Sequence, residues 1–406
     1  MIARRHVFHV AGYDSYDVAG QHRRFRRELA KFATTWGIAA SASELRQDGP
    51  SASWSVTTRG PNWSVETTCE PLDWHDIVLA DLARPAVPRF MHGGIAFADF
   101  VASGTFFRYF AKRFRYACFF LIPFVDVLLF AAVGAVAGYA LAGALALAGI
   151  ARAAAAVAIA VGVFVGLMEW PGRRWRVAQG LADWIFARDY MYGRRPDIEA
   201  RLDQFADRVI ACARAGEADE IVIIGHSFGA TFVVDLLARA LQRDRGLGRH
   251  GPAIAIMTIG ATIPKLALHP AGARLRECAD RVAAEPSLFW VEYQAREDAI
   301  SFYRFHPVLL RSIGDHETVE NPLIRRVQFH EMLTPETYRK HRWDFMRLHY
   351  QFVMANERRV VYDYFFALCG PLPLERMARA ARGPVDAIAP DGSLIAPPEA
   401  AESVRR

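Results

Sequence analysis

The chain has few cysteines, and their spacing excludes the usual cysteine-based sites. Cysteine occurs five times, an odd number, with no CxxC pair. This usage is typical of a protein in a reducing compartment and argues against a structural metal. The sequence also lacks a glycine-rich phosphate loop, an HExxH motif and any cluster of metal-ligand residues. We therefore expect neither a metal nor a cofactor.

The chain is rich in apolar residues, and charge is almost absent from one long segment. Of the 406 residues, 23% are charged and 52% are hydrophobic. Residues 117–170 carry only Asp126, Arg152 and Glu169 as formal charges. A membrane-spanning helix needs about 20 apolar residues, so this segment is long enough for two. We predict a two-helix transmembrane hairpin over 116–170 with a turn near Gly149–Arg152; the alternative is a helical hairpin buried in a soluble core.

Basic residues flank the predicted hairpin on both sides. They are Lys112, Arg113 and Arg115 before it and Arg173, Arg174 and Arg176 after it. The positive-inside rule then places both ends in the cytoplasm, so the protein is predicted to be integral to the inner or plasma membrane with the rest of the chain cytoplasmic. The start of the chain is not a signal peptide, because His9 and Gly12 interrupt its apolar run.

The net charge of +6 raises the question of nucleic-acid binding. Many of the arginines, however, flank the hairpin or alternate with acids on predicted helices. The aromatic-basic run 106–116 directly precedes the first span, where it suits an interfacial anchor. The expected partner is therefore the lipid bilayer with its anionic headgroups, and not a nucleic acid.

Short apolar strands alternate with helical segments on both sides of the hairpin. The strand-like runs include 5–10, a two-stranded hairpin around Gly60–Asn62, 220–225, 253–260, 287–293 and 325–333, and residues 76–82 are a candidate for a further strand. This alternation predicts an α/β fold with a mostly parallel sheet flanked by helices. The predicted organisation is one domain in two parts, 1–115 and 171–370, with the hairpin inserted between them and a disordered tail over 371–406.

The segment "EIVIIGHSFGATFVV" (220–234) contains the pattern that points to chemistry. An apolar strand runs into Gly225-His226-Ser227-Phe228-Gly229, and a helical stretch follows. Glycines at 225 and 229 would let the backbone make a sharp strand-to-helix turn with Ser227 at its apex. This arrangement resembles the nucleophile elbow of the α/β-hydrolase superfamily. The resemblance implies a serine hydrolase that forms an acyl-enzyme and whose catalytic residues occur in the order nucleophile, acid, histidine.

The resemblance directs the search for the acid and the base. Asp298 follows the strand 287–293 in a polar loop and is the expected acid; Glu292 and Glu297 are the alternatives. The base should follow the last strand. His330 lies within that predicted strand, which leaves His341 and His349. We favour His349, because "RLHYQF" resembles the family's loop-to-helix histidine followed by an aromatic residue.

The resemblance also implies an oxyanion hole, which the family builds from two backbone N–H groups. One belongs to the residue after the nucleophile, Phe228. The other comes from the loop after an early strand, where Gly12 permits close backbone approach and Gly12 or Tyr13 would donate.

Together these features predict a membrane-anchored serine hydrolase that cleaves carboxylic esters derived from lipids through Ser227, His349 and Asp298. An acyltransferase, a thioesterase or a membrane-bound peptidase would use the same triad. The alternative of a different class is a non-catalytic membrane scaffold that keeps the fold.

Overall fold

The computed structural model describes residues 1–49, 51–145, 147–314, 317 and 320–395, which divide into two compact units. The first unit comprises Met1–Val78 and the chain from Arg195 onward, and the second comprises Leu79–Arg194. The second unit is therefore inserted into the first. It is larger than the predicted insertion of 116–170, because four further helices outside the apolar hairpin belong to it.

The first unit is built on a nine-stranded sheet. Its strands are β1 (Arg4–Val10), β2 (Ala39–Ala42), β3 (Arg46–Asp48), β4 (Ser51–Gly60), β5 (Trp63–Pro71), β6 (Glu220–His226), β7 (Ala253–Ile259), β8 (Leu288–Ala295) and β11 (Leu323–Val327); β9 (Phe305–His306) and β10 (Arg311–Ser312) pair separately. The order is β11-β8-β7-β6-β1-β5-β4-β2, with β3 paired to β4. All neighbours from β11 to β5 are parallel, whereas β4 pairs antiparallel with β5, β2 and β3.

Helices flank this sheet. They are α1 (Val18–Trp36), α2 (His75–Leu82), which leads into the second unit, α9 (Pro196–Ala215), α10 (Phe228–Arg243), α11 (Ile263–Ala267), α12 (Ala273–Ala284), α13 (Phe329–Met332), α14 (Pro335–His341), α15 (Phe345–His349), α16 (Tyr364–Cys369) and α17 (Leu374–Arg379), with 3₁₀ turns at Pro270–Gly272, Tyr350–Val353 and Gly383–Asp386. The central strands are buried on both faces, as parallel strands usually are. The predicted α/β class with a mostly parallel, helix-flanked sheet is confirmed.

Three local predictions outside the apolar hairpin are wrong. Residues 76–82 form α2 and not a strand. The last strand ends at Val327, and His330 lies in the short helix α13. The predicted disordered tail begins too early, because residues 371–395 pack on the core: Leu374 is fully buried, and Trp63 Nε1 donates to the carbonyl oxygen of Gly392 over 2.9 Å. Composition alone misled here, since a proline- and alanine-rich segment can still supply buried side chains. Residues 396–406 lie outside the described residues.

The second unit is helical. It contains α3 (Ala86–Ala102), α4 (Thr105–Lys112), α5 (Phe114–Ala144), α6 (Gly149–Glu169), α7 (Pro171–Arg174) and α8 (Val177–Met191). Both α5 and α6 are long and apolar enough to cross a membrane. Helix α5 ends at Ala144 and α6 begins at Gly149, where φ is 57°, so the connection between them comes just before the predicted position.

Each helix of the hairpin carries two glycines four residues apart, Gly134 and Gly138 on α5 and Gly162 and Gly166 on α6, and only the first pair lies at the contact between the helices. A Cβ added to Gly138 would stand 2.3 Å from the carbonyl oxygen of Ala156, and one added to Gly134 would stand 2.6 Å from that of Ala160. These backbones approach closely because the glycines have no side chain. Around Gly162 and Gly166 there is open space within 4 Å. The second pair therefore takes no part in the hairpin's own packing.

We expect Gly138→Ala to destabilise the hairpin and Gly162→Ala not to. The methyl group at 138 collides with backbone and costs about 1–3 kcal/mol, whereas at 162 the loss of glycine's flexibility is worth about 0.5–1 kcal/mol in favour of the helix. Thermal unfolding of the two matched variants in the same detergent measures the difference. Equal midpoints would contradict this packing of α5 on α6.

Candidate active site

Ser227 is the single residue between β6 and α10. Its φ of 56° and ψ of −121° lie where a residue with a Cβ is rarely found. Such a conformation costs about 1–3 kcal/mol and persists only where the surroundings impose it. The surroundings here are hydrogen bonds on both sides of the residue: Ser227 N–H donates to the carbonyl oxygen of Ile259 over 3.0 Å, and Thr262 N–H donates to that of Ser227 over 3.3 Å.

The two glycines of the motif are required by close backbone approach. A Cβ added to Gly225 would stand 2.4 Å from Ala230 Cα. One added to Gly229 would stand 2.1 Å from the carbonyl oxygen of Val10, at the end of β1. The start of α10 thus packs directly on the two strands that precede the turn. Any side chain at 225 or 229 would displace Ser227.

The loop after β1 lies against Ser227. A Cβ added to Gly12 would stand 2.9 Å from Ser227 Cβ and 3.3 Å from its Oγ. Tyr13 is buried, with its ring centroid 5.8 Å from that of Trp74. Phe228 is the first residue of α10, at the positive end of the helix dipole. Gly12 and Phe228 therefore lie beside the serine and Tyr13 is the residue after Gly12, while the role of these residues as donors stays a prediction.

Asp298 and His349 form a buried pair. His349 Nδ1 lies 2.9 Å from Asp298 Oδ2, and the two residues are only 2% and 3% exposed. The other carboxylate oxygen accepts the N–H of Ile300 over 3.0 Å. A carboxylate held on Nδ1 favours the tautomer that carries its proton there, which leaves Nε2 as a proton acceptor.

His349 is held next to the serine turn. A Cβ added to Gly260, the residue after β7, would stand 2.8 Å from His349 Cε1. His226, directly before Ser227, has its ring centroid 4.7 Å from that of His349 and its Nε2 3.2 Å from the carbonyl oxygen of His349. Nε2 of His349 is buried and has no hydrogen-bond partner among the described residues. The hydrogen bond from Ser227 to His349 is thus not formed in this structure.

His226 is itself a poor candidate for proton transfer. Burial lowers the pKa of its imidazole well below the usual value, and the neighbouring His349 and His9 lower it further. A neutral His226 with Nε2 protonated can donate to the carbonyl oxygen of His349. We interpret His226 as a residue that holds His349 in position through this hydrogen bond.

A hydrogen bond also joins the loop after β1 to Tyr350, the residue that follows His349. The hydroxyl of Tyr350, the residue after His349, donates to the carboxylate of Asp14. The guanidinium of Arg24 lies 5.2 Å from the Tyr350 ring centroid. Because Asp14 lies two residues after Gly12, this hydrogen bond links the predicted oxyanion loop to the segment that carries His349.

The structure does not bring the alternative residues into this arrangement. His341 ends α14, and its imidazole is not bonded to Asp298. Glu297 instead pairs with His330, Oε1 lying 2.8 Å from Nδ1. Glu292 points into the protein from β8, where it accepts hydrogen bonds from Thr258 Oγ1 and Gln294 Nε2.

Sequence reasoning missed several residues that shape the site. Gly260 and Thr262 follow β7, and the glycine directly after an apolar strand was a usable signal for close backbone approach. Asp14 and Tyr350 had no such signal, because they are 336 positions apart and only the fold joins them.

Comparison of the chain with models of known protein families, with curated proteins and with solved structures gives no match. The case for chemistry at Ser227 therefore depends on the geometry and on the residues themselves.

Glu292 should make stability depend on pH. Burial raises the pKa of its carboxyl to about 7, so the folded state favours the protonated form. That preference stabilises the fold at low pH and is lost as the pH rises through about 7. Between pH 4.5, the ordinary pKa of a glutamate, and pH 7.5 wild type should lose roughly 3 kcal/mol relative to Glu292→Gln, and little more at higher pH. Thermal unfolding of both proteins across this range measures the effect, and parallel pH curves would contradict it.

Proposed function

We propose that this protein is a membrane-anchored serine hydrolase in which Ser227 is the nucleophile, His349 the general base and Asp298 the residue that orients the base. The observation that carries the proposal is the combination of a strained serine between strand and helix with a buried carboxylate–imidazole pair beside it. Backbone strain and buried carboxylate–imidazole pairs both occur for structural reasons. Their coincidence at one edge of a parallel sheet is typical of an active site.

Each residue of the proposed triad has its own role in ester cleavage. Ser227 Oγ attacks the acyl carbon of the ester while its proton passes to Nε2 of His349. The Asp298 carboxylate stabilises the imidazolium that forms. The N–H groups of Phe228 and of Gly12 or Tyr13 stabilise the negative oxygen of the tetrahedral intermediate. His349 then returns the proton to the leaving alcohol, and water cleaves the acyl-enzyme by the same steps in reverse.

One movement is needed before this can happen. Because Nε2 of His349 has no hydrogen-bond partner in the described part of the chain, the imidazole or the Ser227 side chain must shift until Oγ donates to it. Catalytic hydrogen bonds are often long without substrate and shorten when it binds. A scaffold that keeps the fold without catalysis would also lack a hydrogen bond between Ser227 and His349, so this observation favours that competing proposal as well.

The substrate class follows from the proposed anchor. The helices α5 and α6 expose apolar side chains along most of their length, and no residue of α6 is buried. We propose that they span the membrane as a hairpin with both ends in the cytoplasm. An esterase fixed at a bilayer encounters lipid-derived esters at high local concentration. A thioesterase or acyltransferase would differ only in the leaving group or in the acceptor of the acyl group.

The catalytic proposal is tested by labelling the detergent-purified protein with a fluorophosphonate, which reacts with activated serines. Ser227→Ala should abolish labelling, and His349→Ala and Asp298→Asn should each slow it at least about 100-fold, since the triad acts as a unit. His341→Ala is the matched control and should label at the wild-type rate. A wild type that never labels would favour the scaffold.

The predicted topology is tested by cysteine accessibility in intact cells. The background replaces Cys118, Cys212 and Cys278 by serine and keeps the buried Cys69 and Cys369. Ala148→Cys, in the exposed turn between α5 and α6, should react with a membrane-impermeant maleimide added outside. Arg27→Cys, exposed on α1, should react only after permeabilisation. Equal reactivity of the two positions in intact cells would exclude a spanning hairpin.

A further inference from the structure

We infer that α3 is a second membrane-contacting element, which lies in the cytoplasmic leaflet with its exposed face against lipid. The inference depends on the proposed anchoring of α5 and α6 in the bilayer. Helix α3 lies outside the apolar segment 117–170. If it contacts lipid, the lipid-facing surface of the second unit is wider than that of the hairpin alone.

The exposed face of α3 is apolar. Val87, Met91 and Ile95 follow each other at intervals of four residues, and they are 69%, 65% and 48% exposed. Along 86–98 the other exposed residues are Ala86, Pro88, His92, Gly94 and Ala98, so no residue with a fixed charge is among them. By contrast, the exposed face of α1 carries Arg23, Arg26 and Arg27. Water-facing helices usually carry such charges, and the face of α3 does not.

The opposite face of α3 is already packed. Gly93, Ala96 and Phe100 are buried. A Cβ added to Gly93 would stand 3.3 Å from Leu181 Cδ2 of α8, and the Phe100 ring centroid lies 5.1 Å from that of Trp184. The helix is therefore fixed by one face, and the apolar stripe of Val87, Met91 and Ile95 is not needed for packing within the second unit.

The same helix contacts both helices of the hairpin. The ring centroid of Phe90 lies 5.6 Å from that of Phe164 on α6, and that of Phe97 lies 4.9 Å from that of Phe124 on α5. On α5, Val125, Leu128 and Leu129 are exposed close to this contact in sequence. Helix α3 is thus packed against the hairpin, and both elements expose apolar side chains.

The contact between Phe90 of α3 and Phe164 of α6 lies at a depth that suits a helix in the membrane interface. Phe164 precedes Glu169, the last residue of α6, by five residues (169 − 164). At 1.5 Å per residue this is about 8 Å along the helix. Helices that lie in the membrane interface bury their apolar face about 5–10 Å deep. If Glu169 marks the interface, Phe90 and the adjacent stripe reach the upper acyl region.

The test uses the full-length protein in vesicles of phosphatidylcholine and phosphatidylglycerol, in the background with Cys118, Cys212 and Cys278 replaced by serine. Single cysteines carrying an environment-sensitive fluorophore are placed at Met91 on α3, at Val136 on α5 as the lipid reference and at Arg27 on α1 as the water reference. Quenching is measured with nitroxide lipids and with aqueous iodide. We expect Met91→Cys to be quenched by shallow nitroxides, with iodide quenching about 5-fold weaker than at Arg27→Cys.

Three other outcomes would overturn the inference. If Val136→Cys is quenched by lipid and Met91→Cys by iodide, α3 faces water and the hairpin still anchors the protein. If neither is quenched by lipid, the proposed anchor fails as well. If Met91→Cys is shielded from both quenchers while Val136→Cys contacts lipid, protein covers the stripe, and crosslinking through Met91→Cys shows whether a second copy does so.

Discussion

The positive φ of Ser227 is the constraint on which the rest of the candidate site depends. A serine takes this conformation only if the chain on both sides is held firmly. On one side β6 is fixed between β1 and β7, and on the other α10 begins directly against Val10 because Gly229 has no side chain. Packing on the sheet therefore holds Ser227 at the apex of the turn, where its side chain is partly exposed.

The parallel arrangement of the central strands gathers the remaining groups. Parallel strands end at the same edge of a sheet, so the loops after β1, β6, β7 and β8 meet there. They carry Gly12, Ser227, Gly260 and Asp298 respectively. His349 arrives later in the chain and is fixed by three separate contacts, with Asp298, with His226 and with the residue after β7. The site is thus assembled from five segments that are distant in sequence.

The second unit differs from the first in where its apolar side chains lie. In the first unit apolar strands are buried between helices, whereas α5 and α6 keep most of their apolar surface exposed. Close contact between these two helices comes from glycine at 134 and 138 and not from large interlocking side chains. Packing of this kind suits an environment in which burial of apolar groups gives little gain, because lipid is as apolar as the side chains. Helix α3 likewise exposes an apolar stripe, Val87, Met91 and Ile95.

Local signals explain what could be predicted. The strand, the glycines and the helix around Ser227 are all within 15 residues, and each has a preference that can be recognised without the fold. The same holds for the length and composition of α5 and α6 and for the position of Asp298 after an apolar strand. Residues 76–82 and 371–395 were predicted wrongly because their composition fits more than one structure, and packing decided between them.

By itself, then, the sequence determined the strand-to-helix turn at Ser227, the α/β class and the apolar hairpin, because each depends on neighbouring residues. Only the tertiary structure decided that His349 and not His341 meets Asp298, 51 residues away, and that Asp14 meets Tyr350. It also decided which face of α3 stays exposed. These choices depend on how separate elements pack against each other, and a pattern within one element carries no information about its distant partners.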